Sequence, residues 1–531
     1  MTTSLVMLTQ PEVKWTTPRE PAFIGKDILE LLTSSMYVDP MSLFREYIQN
    51  AADAVDLARE TGVLQAKGQI DIRIDRTSRS VRICDNGAGL SGEEFVFRLM
   101  ALGGSKKRGT GFRGFRGVGR LAGLGYCQEL IFRSRRDSKS SVHEIRWDSR
   151  EVRSLMRSAD SSHDLRDIIG KAVQTRILCG GDWPKRFFEV ELKGVVRHRD
   201  DRLLNEESIA GYLAQVAPVS FHPEFEFGSE ISSFLEGNGV RPGAVNIEIV
   251  GYGPVHRPHA NAIAMGKSGE TRFRELKTMI IPGRDGGVAA ASWVLHHDYR
   301  GALPGACLME GWRLRSGDIQ VGDNSLLQSL FPESRFNAWC VAETHILDSR
   351  ILPNGRRDHF EQNAYYFDLL NHLAPQAREI AQRCRASSIA RNTLHTIDTQ
   401  LVECDQRLRA LEKGAMTKGS AAKVVMQLEK VLDQLDRLAV RSSVPTNDQT
   451  QYAVRIVRLR KRMGKVVAGQ RKTSMFQGFT PTQRSILREI CNTIYQRNSN
   501  LYQAQNLIDA IVSRLSRVRR KSRKVRKQRS I

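Results

Sequence analysis

Between residues 42 and 59, apolar side chains recur every three to four positions: Leu43, Tyr47, Ile48, Ala51, Val55 and Ala58. That period predicts an α-helix with one buried stripe. Asp39-Pro40 precedes it, a residue suited to an N-cap followed by a proline suited to the first turn. The pattern then changes to alternation. Gln69–Asp75 and Ser80–Asp85 read as two strands joined by a turn at Thr77 and Ser78. Further strands are expected at Leu130–Ser134, Val142–Trp147, Phe187–Leu192, Val245–Val250 and Trp339–Leu347. After residue 371 the chain is helical and charge-rich, with Leu401, Cys404, Leu408 and Leu411 on one stripe. Pro445 breaks that run, and more helices follow, one over roughly 481–518. The stripes have coiled-coil character, and they fit helix-on-helix packing within one chain better than a long dimeric coiled coil.

The 531 residues predict several domains: an arm over 1–25, α/β regions over 26–200 and 201–370, a helical region over 371–513 and a basic tail over 514–531. Apolar residues at 40% and charged ones at 26% exclude a wholly disordered or collagen-like chain. No apolar run approaches the length of a membrane span, and the N-terminus lacks a secretory pattern. The eight cysteines are scattered without a Cys-x-x-Cys pair, so they read as reduced side chains of a cytoplasmic protein. Net charge is +23, and the span from Arg514 to Ile531 supplies +10 of it with no acid. Such a tail suits a polyanion, and nucleic acid is the partner it raises; a solvated tail is the alternative.

Three elements carry candidate chemistry. At about 100° per residue, Asn50 and Asp53 fall within about 40° of Glu46 on the first helix, opposite its apolar stripe. A carboxylate there could orient water, and an amide oxygen could complete a Mg²⁺ shell. Next, Asp85-Asn-Gly-Ala-Gly-Leu90 ends a strand directly; Gly87 and Gly89 permit a tight turn, and an ionised Asp85 could accept from an exocyclic amine. Last, Leu102–Gly119 is rich in glycine and cations, with Lys106, Lys107, Arg108, Arg113 and Arg116 following the Ser105 hydroxyl, before a helical stretch over Arg120–Gly125. Its closing Gly114-Phe-Arg-Gly-Val-Gly119 offers backbone N–H groups to an anion.

In this order the three elements resemble the GHKL ATPases: gyrase, the HSP90 chaperone, histidine kinases and mismatch-repair ATPases. The resemblance covers roughly residues 26–195 and is strongest to the HSP90 (HtpG-like) chaperones, whose lid is similar to Gly114–Gly119. It implies an α/β fold, an α+β sandwich of Bergerat type, then an α/β middle domain and an all-α C-terminal region. It further implies ATP and Mg²⁺ as cofactors, with Glu46 as general base and Asn50 as metal ligand. Asp85 would read adenine, with Asp53, Gly87 and Gly89 shaping its pocket. Ser105, Lys106, Gly114, Gly117, Val118 and Gly119 would hold phosphates. Ile351-Leu-Pro-Asn-Gly-Arg-Arg-Asp-His-Phe360 resembles the middle-domain loop that offers an arginine, so Arg356 and Arg357 are catalytic candidates, a surface pair bridged to Asp358 being the alternative. The chain departs from the pattern at Arg98, where an asparagine is common, at Arg120, where an aromatic is expected, and in lacking Gly-Thr before Phe187. Expected partners are a client or partner protein, nucleic acid through 514–531, and a second copy of the chain, with no membrane. The alternatives to a chaperone-like ATPase are a nucleic-acid-associated clamp of the same superfamily and a nucleotide-gated scaffold without useful turnover.

Overall fold

The computed structural model describes residues 39–101, 119–157, 165–179, 181–197, 200–266, 269–414, 416–441, 443–469, 475–498 and 501–528. It divides into two compact units, residues 1–298 with 302–381, and residues 299–301 with 382–531.

The first unit opens with helix α1 (Ser42–Glu60) and the antiparallel hairpin β1 (Gly68–Asp75) and β2 (Ser80–Asp85), paired from Ile70↔Asp85 to Asp75↔Ser80. The helix starts two residues later than Pro40 suggests. Met41, not Asp39, is the N-cap; Asp39 instead forms the preceding turn, its carboxylate accepting from the Met41 N–H at 3.1 Å and its carbonyl from Ser42 Oγ at 2.6 Å. Then come α2 (Gly92–Met100), a 3₁₀ turn over Gly119–Gly125, β3 (Glu129–Arg135), β4 (Val142–Asp148), α3 (Ser149–Arg157), α4 (Leu165–Ala172), β5 (Val173–Leu178) and β6 (Phe187–Lys193). The expected helical stretch at 120–125 is therefore a tight 3₁₀ turn; Gly119, Gly123 and Gly125 are poor α-helix formers.

Helices α5 (Glu206–Val216) and α6 (Gly228–Gly237) lead to β7 (Val245–Ile249) and β8 (Gly253–Val255). The first sheet has the order β5-β4-β3-β6-β2-β1-β7-β8, with β7 parallel to β1 and the other pairs antiparallel. It thus takes strands from beyond residue 200. Its core joins the α1 stripe, all six residues of which are buried, to Ile70, Ile72, Leu130, Phe132, Leu192, Leu213 and Ile247.

A short ribbon, β9 (Ala262–Ala264) with β10 (Glu270–Arg272), precedes a five-stranded sheet of β11 (Glu275–Pro282), β12 (Val288–His296), β13 (Gly311–Ser316), β14 (Ile319–Val321) and β15 (Val341–Ile346). Its order is β11-β12-β15-β13-β14, with only β13 and β15 parallel. Beside it Arg257 is fully buried, and its guanidinium donates to both Asp318 and Glu343. Arg315 adds a 2.8 Å pair to Glu343. Burial alone would raise the Glu343 carboxyl, but Arg257 and Arg315 hold it well below the usual range. Buried charges persist only when so paired, because isolated ones cost far too much.

The rest is helical: α7 (Ala364–Glu412), α8 (Lys418–Ala439), α9 (Thr446–Val467), α10 (Pro481–Arg497) and α11 (Leu501–Gln528). The predicted helix over 481–518 is two helices, since Asn498 turns extended and ends α10. In the second unit Leu401, Cys404, Leu408 and Leu411 pack with Leu428, Leu432, Leu435, Ile456, Leu459 and Ile508. The α/β, then α/β, then all-α layout expected from the sequence is the one observed.

Candidate nucleotide site

Helix α1 is buried on both sides. Its apolar stripe faces the sheet, and its polar residues are covered as well: Glu46 is 9% exposed and Asp53 1%, with Asn50 half-buried. Seven residues separate Glu46 from Asp53, about 10 Å along the axis. The helix therefore lies between two local environments.

At the Glu46 end, Gly119 sits so close that any Cβ there would collide with the Glu46 carboxylate. On another side is the loop after β15. Arg357 Nε lies 3.9 Å from Glu46 Oε1, and so does Arg45 Nε. Arg45 donates to the Arg356 carbonyl at 2.8 Å and the Arg357 carbonyl at 3.3 Å, fixing that loop on α1. The loop turns at Arg357, which is buried with φ 55°, a left-handed conformation that non-glycine residues rarely adopt. Arg356 is exposed, and Asp358 accepts from Asn354 at 2.6 Å.

At the Asp53 end, Asp85 finishes β2 and is buried. Its Oδ1 accepts from the Gly87 N–H at 2.9 Å. Burial pushes the Asp85 carboxyl up to about 7, with the Gly87 N–H opposing. The turn docks on α1 where the Ala88 N–H donates to the Ala54 carbonyl at 3.0 Å. A Cβ on Gly87 would meet Ala54 at 2.7 Å and Asp85 Oδ1 at 2.8 Å. Gly89 is left-handed at φ 62° and packs on the Arg135 carbonyl, so both glycines are demanded by close approach.

The structure thus brings Glu46, Asn50, Asp53, Gly87, Gly119 and Arg357 onto or against one helix, with Asp85 and Gly89 on the turn that docks there. Ser105, Lys106, Gly114, Gly117 and Val118 lie outside the described residues. Three side chains join the site without having been singled out for it. Arg45 clamps the 353–360 loop. Arg186 Nε donates to the Gly87 carbonyl at 2.8 Å, near where a Gly-Thr was expected. Ser134 Oγ accepts from the Leu90 N–H at 2.9 Å and donates to the Phe187 carbonyl at 3.0 Å. No periodicity marks these residues, because each acts through a partner distant in sequence.

The two departures differ in kind. Arg98 pairs with Glu94 one turn back, on the more exposed side of α2. Arg120 turns inward: it donates to the Ala101 carbonyl at the end of α2, its Nε is buried without a partner among the described residues, and burial pushes its guanidinium down to about 10. A separate cleft of about 1210 Å³ lies between α2 and the β4–β5 edge, lined by Phe95, Met100, His143 and Arg176. None of the sequence-predicted site residues among the described ones lines it.

A purine nucleotide with Mg²⁺ fits the α1 arrangement. Glycines stand where any Cβ would fill the space beside Glu46 and Asp85. Among the described residues no three His, Cys, Asp or Glu side chains cluster as a metal cage.

Residues 41–172 match the family described as histidine kinase-, DNA gyrase B- and HSP90-like ATPase. That stretch, α1 through α4, is similar to the ATPase domains of the GHKL class. Among curated proteins, the chain is 31% identical over 143 residues to the chaperone protein HtpG of Bordetella pertussis, covering 23% of this chain and 22% of that one. It is 28% identical to HtpG of Polaromonas naphthalenivorans over 139 residues, with 23% and 22% covered. The likeness to HtpG of Nitrosomonas eutropha is 28% over 144 residues, with 24% and 22% covered. The match therefore spans about a fifth of the length of these relatives. No helix among the described residues is long and apolar enough to cross a membrane.

Proposed function

We propose that the chain hydrolyses ATP with Mg²⁺ and uses closure of its glycine-rich segment as a conformational clamp, in the manner of an HSP90-like chaperone acting on a protein client. One observation carries the reading: Glu46 is held between Gly119 and Arg357 at one end of α1, while Asp85 is buried at the other. When bound, the nucleotide and its metal supply the phosphoryl group and the charge that activates it. Glu46 orients the attacking water and takes its proton. Asn50 offers its amide oxygen to the metal, and ionised Asp85 accepts a hydrogen bond from the adenine amine. Arg357, rather than the exposed Arg356, stands close enough to Glu46 to stabilise charge on the transferred group. Its proximity also fixes where Glu46 points, through the loop that Arg45 anchors.

Steady-state turnover tests this: Glu46→Ala should lose most of its activity and keep nucleotide binding. Activity equal to wild type would remove Glu46 as the base. Multiple turnover by wild type would eliminate the nucleotide-gated scaffold.

A nucleic-acid-associated clamp is the second reading, favoured by the ten cations and absence of acids in 514–531. Salt-sensitive duplex binding lost on removal of 514–531 supports it, and client capture unaffected by that removal supports the chaperone reading. Self-association through the C-terminal helices follows from exposed apolar residues such as Val440, Ile486 and Val518, and sedimentation of the full chain tests it.

A further inference from the structure

The positive charge of this chain resides almost wholly in its helical unit. Residues 382–531 hold 32 lysines and arginines against 10 aspartates and glutamates, whereas residues 1–381 hold 49 against 48. The tail accounts for ten of those 32 cations, so most of them lie on helices that precede it. The acids do little to offset them at the surface. Six of the ten are engaged within the unit: Asp398 by Arg455, Asp405 and Glu412 by Arg462, Asp433 and Asp436 by Arg460, and Asp509 by Lys413.

Helix α9 displays the remainder in order. Tyr452, Ile456, Leu459 and Met463 form its buried seam. Arg455, Arg460 and Arg462 carry the ion pairs just named. On the outward face stand Arg458, Lys461 and Lys465, spaced by three and four residues, exposed and without an ion-pair partner among the described residues. The same holds on α8, where Lys423 and Lys430 project opposite the seam of Leu428, Leu432 and Leu435. From Arg458 to Lys465 is about 10 Å of helix axis. A duplex presents about one phosphate charge per 1.7 Å of its own axis, so such a row meets several at once.

The chemistry of the surface selects among polyanions. Tyr452, Phe476, Phe479 and Tyr495 are all buried, so none of these four rings offers a stacking platform for unpaired bases. The apolar residues interleaved on α9 are valines, Val454 and Val457, rather than the Trp, Phe and Leu that seat an interfacial helix in a bilayer. Cations at regular helical spacing, with those four rings turned inward, fit the backbone of a double helix, read without regard to sequence.

We propose that the outward face of α9, with Arg458, Lys461 and Lys465, is a phosphate-backbone surface for duplex nucleic acid, separate from the tail, and that Lys423 and Lys430 of α8 add further phosphate contacts. It deepens the nucleic-acid reading above and stands independently of the ATP site. Binding of the full chain to a fluorescent mixed-sequence DNA duplex, followed by anisotropy across about 50–200 mM salt, tests it. Replacing Arg458, Lys461 and Lys465 together by glutamine should flatten the slope of log affinity against log salt by about 2 to 3, at about 0.9 per lost contact. Lys423→Gln with Lys430→Gln should flatten it by about 1 to 2. Both effects should persist with the tail removed and with Asp85→Asn, and unchanged helical ellipticity would establish folding. An unaltered slope in the triple variant, with binding abolished by tail removal alone, would overturn the proposal. So would binding to phosphatidylserine vesicles with none to the duplex.

Discussion

Residues 1–381 and 382–531 use charge in opposite ways. The first stretch is nearly neutral and buries a set of ionisable groups: Glu46, Asp53, Asp85, Arg257, Asp318 and Glu343 are all buried, most against named partners. The second carries a surplus of 22 positive charges and sends many of them to solvent, using its few acids to tie helices together. Buried charge is costly and survives where geometry compensates it, so its position is informative about chemistry. Exposed charge costs little, and its density rather than its position is informative about partners. The two stretches therefore call for different experiments.

The sharpest break between them would come at Glu46. Glu46→Gln should lower ATP turnover by roughly 10²–10⁴-fold, the usual share of a general base, while duplex binding by the helical unit stays as in wild type. Turnover and duplex affinity measured on the same preparation check both halves. A smaller effect is expected from Gly119→Ala, whose methyl collides with the Glu46 carboxylate. The base must move, so kcat should fall about tenfold or more, given what small misplacements cost, with less change in KM.

The pH response of the neutral stretch follows from Asp85. In the folded chain this carboxyl holds its proton to about 7, against about 4 when unfolded. Folded protein binds more protons between those values, so this contribution to stability is full below about pH 4 and is lost as pH rises through about 7. Adenine recognition runs the other way, since the amine needs the ionised acceptor. Nucleotide affinity should rise several-fold from pH 6 to 8, by at most about tenfold per unit below 7, in step with ionisation of Asp85. Titrations at several pH values check the sign. The mildest expected effect lies in the helical unit. Thr480→Ala breaks a capping box in which Thr480 and Gln483 satisfy each other's N–H groups, and should cost about 0.5–2 kcal/mol in thermal unfolding with nucleotide affinity unchanged.

Much of the fold was legible because local patterns agreed with it. The α1 stripe had the right period, and the β1–β2 hairpin had alternation with a polar turn between its strands. Asn498 ended a helix that had looked continuous; the Arg-Asn-Ser-Asn run there is a turn signal that the flanking apolar spacing masked. The pairing of β7 with β1 was not legible, since a parallel ladder between Gly68 and Val245 leaves no local trace. The site was legible as motifs but not as an environment. Spacing placed Glu46, Asn50 and Asp53 on one face, whereas their burial comes from Gly119, the Asp85 turn and the 353–360 loop, all remote in sequence. Arg45 and Arg186 were silent for the same reason: an arginine that donates to backbone carbonyls has no motif.

Titration calorimetry of the full chain with ATP and Mg²⁺, run beside Asp85→Asn, bears most directly on α1 as a nucleotide-binding helix. A saturable heat for wild type that is lost in Asp85→Asn is the predicted result. Absence of heat with wild type, or identical isotherms for the two proteins, would contradict it.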